Sequence, residues 1–250
     1  MRPPRLALLP VALAATLAGC PKELPQDASP EQLYAMGREA HDRGDWQRAI
    51  DALQRFLFQD PGNQNADSAQ FLIADSYFNQ DQYLTAANEF LRLAQNRPAG
   101  PLADDSRYRA CLAYAELSPR PELDQEYTQE AIDECRSVSL LYPGSPFADE
   151  ADSLVTELTD KLARKVYLNA EYYFKRRAYD SAIVYLEHLL GTYRGAGIEP
   201  AALAMLYDAY TRLGYTQEAE ETRQRLLREY PNTPEARRLV ESGSTASPAG

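Results

Sequence analysis

Histidine and cysteine are scarce, two and three among 250 residues, and the three cysteines lie far apart from one another. The close Cys/His ligand sets of a structural zinc site are therefore missing, and metal, haem and redox-cofactor chemistry loses its usual ligands; no cofactor is expected. Positive charge is also short. Lys plus Arg number 26 against 37 Asp plus Glu, a formal net charge of -11. Removing residues 1–19, whose charges are Arg2 and Arg5 alone, deepens this to -13. Such a chain repels phosphate backbones, and no nucleic-acid partner is expected. Glycine, 12 in all, falls mainly at turns and in the C-terminal tail, and no Gly-rich phosphate cradle occurs. What is present is a globular balance of 44% hydrophobic and 25% charged residues, enough for one large or two small domains with a sizeable core.

The N-terminus reads as an address. A basic Met1-Arg-Pro-Pro-Arg5 segment precedes an uncharged apolar run, Leu6 to Leu17, too short to span a bilayer comfortably. The run ends in Leu17-Ala18-Gly19-Cys20, which looks like a bacterial lipobox. Small residues there fit a lipoprotein signal peptidase, and the Cys20 thiol is the nucleophile that accepts diacylglycerol. The alternative is an ordinary signal peptide with an incidental cysteine. A lipidated Cys20 would begin the mature chain and hold it through acyl chains such as palmitate, each buried methylene contributing about 0.8 kcal/mol. Pro21, where a retention signal would place Asp, favours the outer membrane.

Beyond a short tether the chain repeats itself. Ser29-Pro30-Glu31-Gln32 is a helix start, with Ser29 as N-cap, Pro30 at the first helical position and Gln32 placed to complete a capping box. Leu33, Met36, Gly37, Ala40, Gly44, Trp46, Ala49, Leu53, Phe56 and Pro61 then fall at the spacings of a tetratricopeptide repeat, a 34-residue helix-turn-helix. Gln70, Ile73, Ala74, Tyr77, Asp81, Tyr83, Ala86, Phe90, Leu93 and Pro98 fill the same slots again. Small residues (Gly37 with Ala49, Ala74 with Ala86) are expected to let paired helices approach, and proline to end the second helix. A third unit keeps Cys111, Tyr114, Ala131, Cys135, Val138 and Pro143, with its turn lengthened by eight residues within Ser118 to Tyr127. That insertion is either a function-specific loop or a tolerated one. From Phe147 to Arg177 there is neither Gly nor Pro, and apolar residues recur every three or four positions, predicting one helix of about eight turns. Its end doubles as the start of a fourth repeat (Ala170, Tyr173, Tyr179, Ala182, Leu186, Leu189), and a fifth uses Leu203, Leu206, Tyr210, Gly214, Ala219, Leu226 and Pro231.

The expected fold is therefore all-α, a tetratricopeptide-repeat superhelix of about five helix-turn-helix units with a long helix joining repeats three and four. Its divisions are 1–19 signal peptide, 20–29 lipidated tether, 30–145 repeats one to three, 146–241 long helix with repeats four and five, and 242–250 disordered tail. Glu235 to Glu241 is expected to form a final capping turn.

Cys111 and Cys135 occupy packing slots on opposed helices of the third hairpin, either as a disulfide or as two buried thiols. On the first helices, slots five, nine and twelve turn about 100° from the packing stripe towards the concave side of the superhelix. They read Tyr34, Arg38 and His41, then Phe71, Asp75 and Phe78, then Tyr108, Leu112 and Ala115, then Tyr167, Glu171 and Phe174. The aromatics mark either a groove for an extended apolar peptide or packing against neighbouring helices. Tyr34, Arg38, Phe71, Phe78 and Tyr108 are the candidate groove residues, with Arg38 suited to a carboxylate. His41 and His188 sit in no Ser/His/Asp or Cys/His arrangement, and Asp104-Asp105 and Glu220-Glu221 are neighbours that do not face each other on a helix. No catalytic residue is expected.

The lipobox, five repeats, enlarged third repeat and long joining helix together resemble the BamD family, lipoproteins of the outer-membrane β-barrel assembly machinery, over roughly Cys20 to Val240. The local matches are Tyr142-Pro143-Gly144-Ser145-Pro146, Leu162-Ala163 and Ala170-Glu171-Tyr172-Tyr173-Phe174. The resemblance implies a non-enzymatic adaptor, lipid-anchored at the periplasmic face of the outer membrane. Repeats one to three would take unfolded outer-membrane proteins by an aromatic C-terminal signal, and repeats four and five would dock on a BamA-type barrel protein. This chain departs from the family where Tyr185 replaces a common Arg and Tyr193-Arg194 replaces Tyr-Pro, which bears on the docking region. The other functional reading is a general periplasmic scaffold lipoprotein, such as a secretin pilot or a wall-synthesis coordinator.

Overall fold

The computed structural model describes residues 24–244. The signal peptide and Cys20 lie outside the described residues, as do residues 245–250. Within them the chain forms eleven helices and no strand: α1 (Pro30–Asp42), α2 (Trp46–Gln59), α3 (Ala66–Phe78), α4 (Tyr83–Asn96), α5 (Ala103–Leu117), α6 (Glu126–Leu141), α7 (Ala148–Lys175), α8 (Tyr179–Thr192), α9 (Glu199–Leu213), α10 (Thr216–Glu229) and α11 (Pro234–Ser244). Each helix packs on its sequence neighbour, giving five stacked hairpins, α1/α2 to α9/α10, with α11 closing the end against α9 and α10. The chain is thus an all-α tetratricopeptide-repeat superhelix. The last helix runs on to Ser244, past Glu241.

The first hairpin shows how the sequence sets this geometry. At the N-terminus of α1 the Ser29 hydroxyl accepts from the Gln32 amide at 3.3 Å and the Gln32 side chain accepts from the Ser29 amide at 2.9 Å, satisfying two otherwise orphaned donors. Gly37, buried in mid-helix, lets α2 approach: a Cβ there would lie 2.5 Å from Leu53 Cγ. The close approach expected over Gly37 is thus filled by Leu53, one turn beyond Ala49. Pairings of Gly37 with Leu53 and Tyr34 with Phe56, whose rings are 5.3 Å apart, make the hairpin antiparallel.

The hairpin turns of repeats one, two, four and five use one device. Gly44, Asp81, Arg177 and Gly214 hold equivalent positions after the first helix, each with left-handed backbone (φ 75°, 59°, 62° and 80°). Three residues of the same register, His41, Phe78 and Phe174, then meet the opening aromatic of the second helix (Trp46, Tyr83, Tyr179) edge-on at 5.1–5.2 Å. Repeat three departs from this pattern because of its eight extra residues. Its longer turn is tied down: Gln125 donates to the carbonyls of Arg120 and Leu123, and Lys161 and Lys165 of α7 donate to the Ser118 hydroxyl (2.8 Å) and the Leu123 carbonyl (2.5 Å).

Helix α7, 28 residues long, carries the cores of both halves on one rod, with Ala151 entering a smaller cluster around Cys111 and Cys135. Leu154, Leu158 and Leu162 pack into the cluster built on Phe90, Tyr114 and Ile132, whereas Val166, Ala170 and Phe174 belong to the C-terminal cluster with Leu186, Leu203 and Leu226. The uninterrupted periodicity from Phe147 to Arg177 is what this double role requires. A break would leave the two halves of the superhelix without a common axis.

Candidate functional site

A polar chain crosses the first helices of repeats one to three. His41 Nε2 of α1 donates to Asp75 Oδ2 of α3 at 2.8 Å, and Arg109 Nη1 of α5 donates to Asp75 Oδ1 at 3.3 Å. Asn79 Nδ2 adds a bond to Asp75 Oδ2 at 3.0 Å, and Asp105 lies 3.5 Å from Arg109 Nε. Asp75 is 9% exposed. Burial pushes its carboxyl up, but the His41 bond, the Arg109 charge and the Asn79 bond together outweigh burial, and its pKa lies below the usual value. Asp105 shifts the other way, because burial outweighs Arg109. The network is a lock between consecutive repeats, with both oxygens of the buried carboxylate accepting from donors, Oδ2 from His41 and Asn79 and Oδ1 from Arg109.

The candidate groove residues surround this lock unequally. Arg38 is exposed, its guanidinium 5.9 Å from the centre of the Tyr34 ring. The aromatics are half-buried. Tyr34 leans on Phe56, Phe71 meets the fully buried Phe90 edge-on at 5.3 Å, and Phe78 meets Tyr83 at its own turn. Tyr108 stacks on Phe147 at 5.1 Å and donates to Glu150 at 3.0 Å, which fastens α5 to the start of α7. Burial, reinforced by that bond to a carboxylate, pushes the Tyr108 hydroxyl up to about 12. Each ring therefore packs on a ring of another segment, Tyr34, Phe71 and Phe78 on the second helix of their own repeat and Tyr108 on the start of α7, and remains partly exposed. Slot twelve serves the turn more than the groove.

Cys111 and Cys135 form a disulfide between α5 and α6, with Cα atoms 5.0 Å apart. It sits in a small core of its own with Val138 and Ala151.

Tyr185 of α8, the candidate docking residue, is half-buried, stacked on Tyr173 of α7 at 5.4 Å, and Tyr173 meets Tyr172 edge-on. Tyr172 is 53% exposed and lies under the Arg176 guanidinium at 4.1 Å. This face thus presents an aromatic stack on α7 and α8 with its cation, Arg176, following α7. Further along, a cleft of about 380 Å³ between repeats four and five is lined by Arg194, Gly195, Glu199, Arg225, Glu229 and Tyr230. Glu199, 2% exposed, accepts there from the Gly195 amide and the Tyr230 hydroxyl, both at 2.7 Å, and pairs with Arg225. Burial, then the bond to Glu199, pushes Tyr230 up to about 12.

Sequence reading singled out His41 and Asp75 as slots without seeing that they pair, and it missed Arg109 and Glu199. The recoverable signal was the offset: the first three repeats stand 37 residues apart, and His41 to Asp75 and Asp75 to Arg109 each span 34, so each partner lies about one helical turn before the equivalent slot of the next first helix. Among the described residues no group of three or more His, Cys, Asp or Glu is arranged to hold a metal ion. No described helix is long and apolar enough to cross a membrane.

Comparison with known proteins finds similar chains. A chain from Caulobacter vibrioides named outer membrane protein assembly factor BamD is 26% identical over 223 residues, covering 87% of this chain and 73% of that one. Its namesake from Neisseria meningitidis serogroup A is 27% identical over 248 residues, covering 91% and 92%. A solved tetratricopeptide-repeat protein from Bacteroides fragilis aligns with 88% of this chain and 99% of its own at 14% identity and a TM-score of 0.49. The model of the YfiO family, described as outer membrane lipoprotein, matches residues 26–226, and the chain belongs to that family.

Proposed function

We propose that this protein is a non-enzymatic adaptor in outer-membrane protein assembly, held by a lipid on Cys20 at the periplasmic face of the outer membrane. The observation that carries the reading is similarity over nearly the whole length to proteins named as assembly factors, on a scaffold of stacked hairpins. Division of labour follows from the two cores. Repeats one to three take the aromatic C-terminal signal of an unfolded outer-membrane protein, with Arg38 receiving the carboxylate and the exposed edges of Tyr34, Phe71, Phe78 and Tyr108 receiving apolar side chains. Repeats four and five dock on a BamA-type barrel protein around Tyr185 and Tyr172. The rigid α7 fixes the distance between the two surfaces.

Affinity purification of the full-length chain from detergent-solubilised envelopes, with mass spectrometry of the retained proteins, tests this. Recovery of a large barrel protein with periplasmic repeats is the expected result. Recovery of a secretin or a wall synthase without such a barrel would replace the function and keep the fold.

A further inference from the structure

Phe58 is 88% exposed, the most exposed large apolar side chain among the described residues. It lies in the last turn of α2, and its position in the hairpin gives that exposure a meaning. Because α1 and α2 are antiparallel, the end of α2 stands beside the start of α1, where the N-terminal segment enters. Arg55, one turn before Phe58, donates to the Gln26 carbonyl and pins that segment to the same end. Three residues, Pro21, Lys22 and Glu23, separate Leu24, the first described, from Cys20. At 3.3–3.6 Å per residue, the four steps from Cys20 to Leu24 reach at most about 14 Å.

We propose that Phe58 is a second membrane contact, its ring inserted into the lipid surface to which Cys20 is anchored. The inference rests on the lipid anchor of the proposed function. With the tether so short, the hairpin end carrying Phe58 is held within reach of the interfacial layer of the bilayer. One aromatic ring binds a membrane weakly on its own, but the anchor makes its insertion intramolecular at a high effective concentration. The surrounding charges, Asp27, Glu31 and Asp60 against Arg55, do not favour an anionic surface, so the contact is apolar and the lipid zwitterionic. Leu140, 79% exposed, holds the corresponding place on α6, but only Phe58 is on the hairpin that the tether joins. Two contacts at one end of the superhelix restrict its tilt, so that its inner face keeps a fixed direction relative to the membrane.

The test uses the full-length lipidated chain in phosphatidylcholine–phosphatidylethanolamine vesicles, with Phe58→Cys carrying an environment-sensitive nitrobenzoxadiazole label. Asp42→Cys, exposed at the far end of α1, is the control. A 13-residue helix puts the two labels about 20 Å apart along the hairpin. The native thiols do not compete, since Cys111 and Cys135 are bonded and Cys20 carries lipid. The expected result is a blue shift and at least twofold quenching by nitroxide-bearing lipid at position 58, unchanged by salt, with no response at position 42. Equal, weak responses at both positions on vesicles with which the chain co-floats would overturn the contact while leaving the anchor. A chain that does not co-float would overturn the anchor, and the contact with it.

Discussion

Asp75 carries more of the N-terminal geometry than any other single polar side chain described, because it joins three consecutive repeats through His41 and Arg109. Its lowered pKa fixes the sign of its effect on stability. A carboxylate held below its unfolded value, about 3.9, stabilises the fold above that pH and loses the contribution as pH falls through the folded value. Asp75→Asn is expected to cost about 2 kcal/mol at pH 7, and the gap from the parent chain to close below about pH 4. Asp105 and Glu134, raised chiefly by burial, gain stability on acidification, so the difference between the two chains reports Asp75 together with its charge coupling to Asp105. Urea unfolding at a series of pH values measures it, and a gap that stayed constant into acid would refute the assignment. Backbone strain gives a second expectation. Arg177 occupies with φ 62° the turn position that Gly44 and Gly214 occupy without penalty. Arg177→Gly should raise stability by about 0.5–1 kcal/mol, whereas Gly214→Ala should lower it by about 1 kcal/mol, both readable as shifts in Tm.

At the scale of elements, the helices were legible in the sequence because each obeys a local rule. Ser29 and Gln32 cap α1, prolines follow α2, α4, α6 and α10, and the run without Gly or Pro from Phe147 to Arg177 became the single rod α7. The polar lock was not legible from local rules, since each of its bonds crosses from one repeat to the next. Slot assignment on a helical wheel did not give the neighbour that takes Phe71, Phe78 or Tyr108, which depends on the second helix and, for Tyr108, on α7. The disulfide belongs to the same class: the slots of Cys111 and Cys135 were readable, their bonding was not. It closes a segment with a sequence separation of 24 residues across the lengthened turn of repeat three. Loop-closure entropy for such a length corresponds to about 3 kcal/mol of stability. Cys111→Ala with Cys135→Ala should lower the unfolding free energy by about that amount and hasten hydrogen exchange in α5 and α6, with far-ultraviolet circular dichroism unchanged. Equal exchange in both chains would mean that the hairpin is held by packing and by the Arg107–Glu134 pair without help from the bond.

For the molecule as a whole, charge decides how an adaptor of this kind can recognise a chain terminus. The protein carries a net -11, so a peptide ending in a free carboxylate approaches against a repulsive field, and an exposed cation has a disproportionate effect there. Arg38 is that cation in the proposed groove, and being exposed it is replaceable without disturbing a core, unlike Phe71, whose ring lies on Phe90. The discriminating pair of ligands is one peptide with a C-terminal aromatic residue, made once as the free acid and once as the amide. A charge-assisted contact at an exposed site is worth about 1 kcal/mol, or roughly fivefold in affinity. The parent chain should therefore bind the acid about fivefold more tightly than the amide. Arg38→Glu should bind the amide as before and lose that preference, with unchanged Tm. Fluorescence anisotropy at fixed ionic strength measures all four affinities. A preference for the acid that survived Arg38→Glu would move the carboxylate site away from repeat one, and Arg109, the partly exposed arginine of the lock, would be the next residue to test.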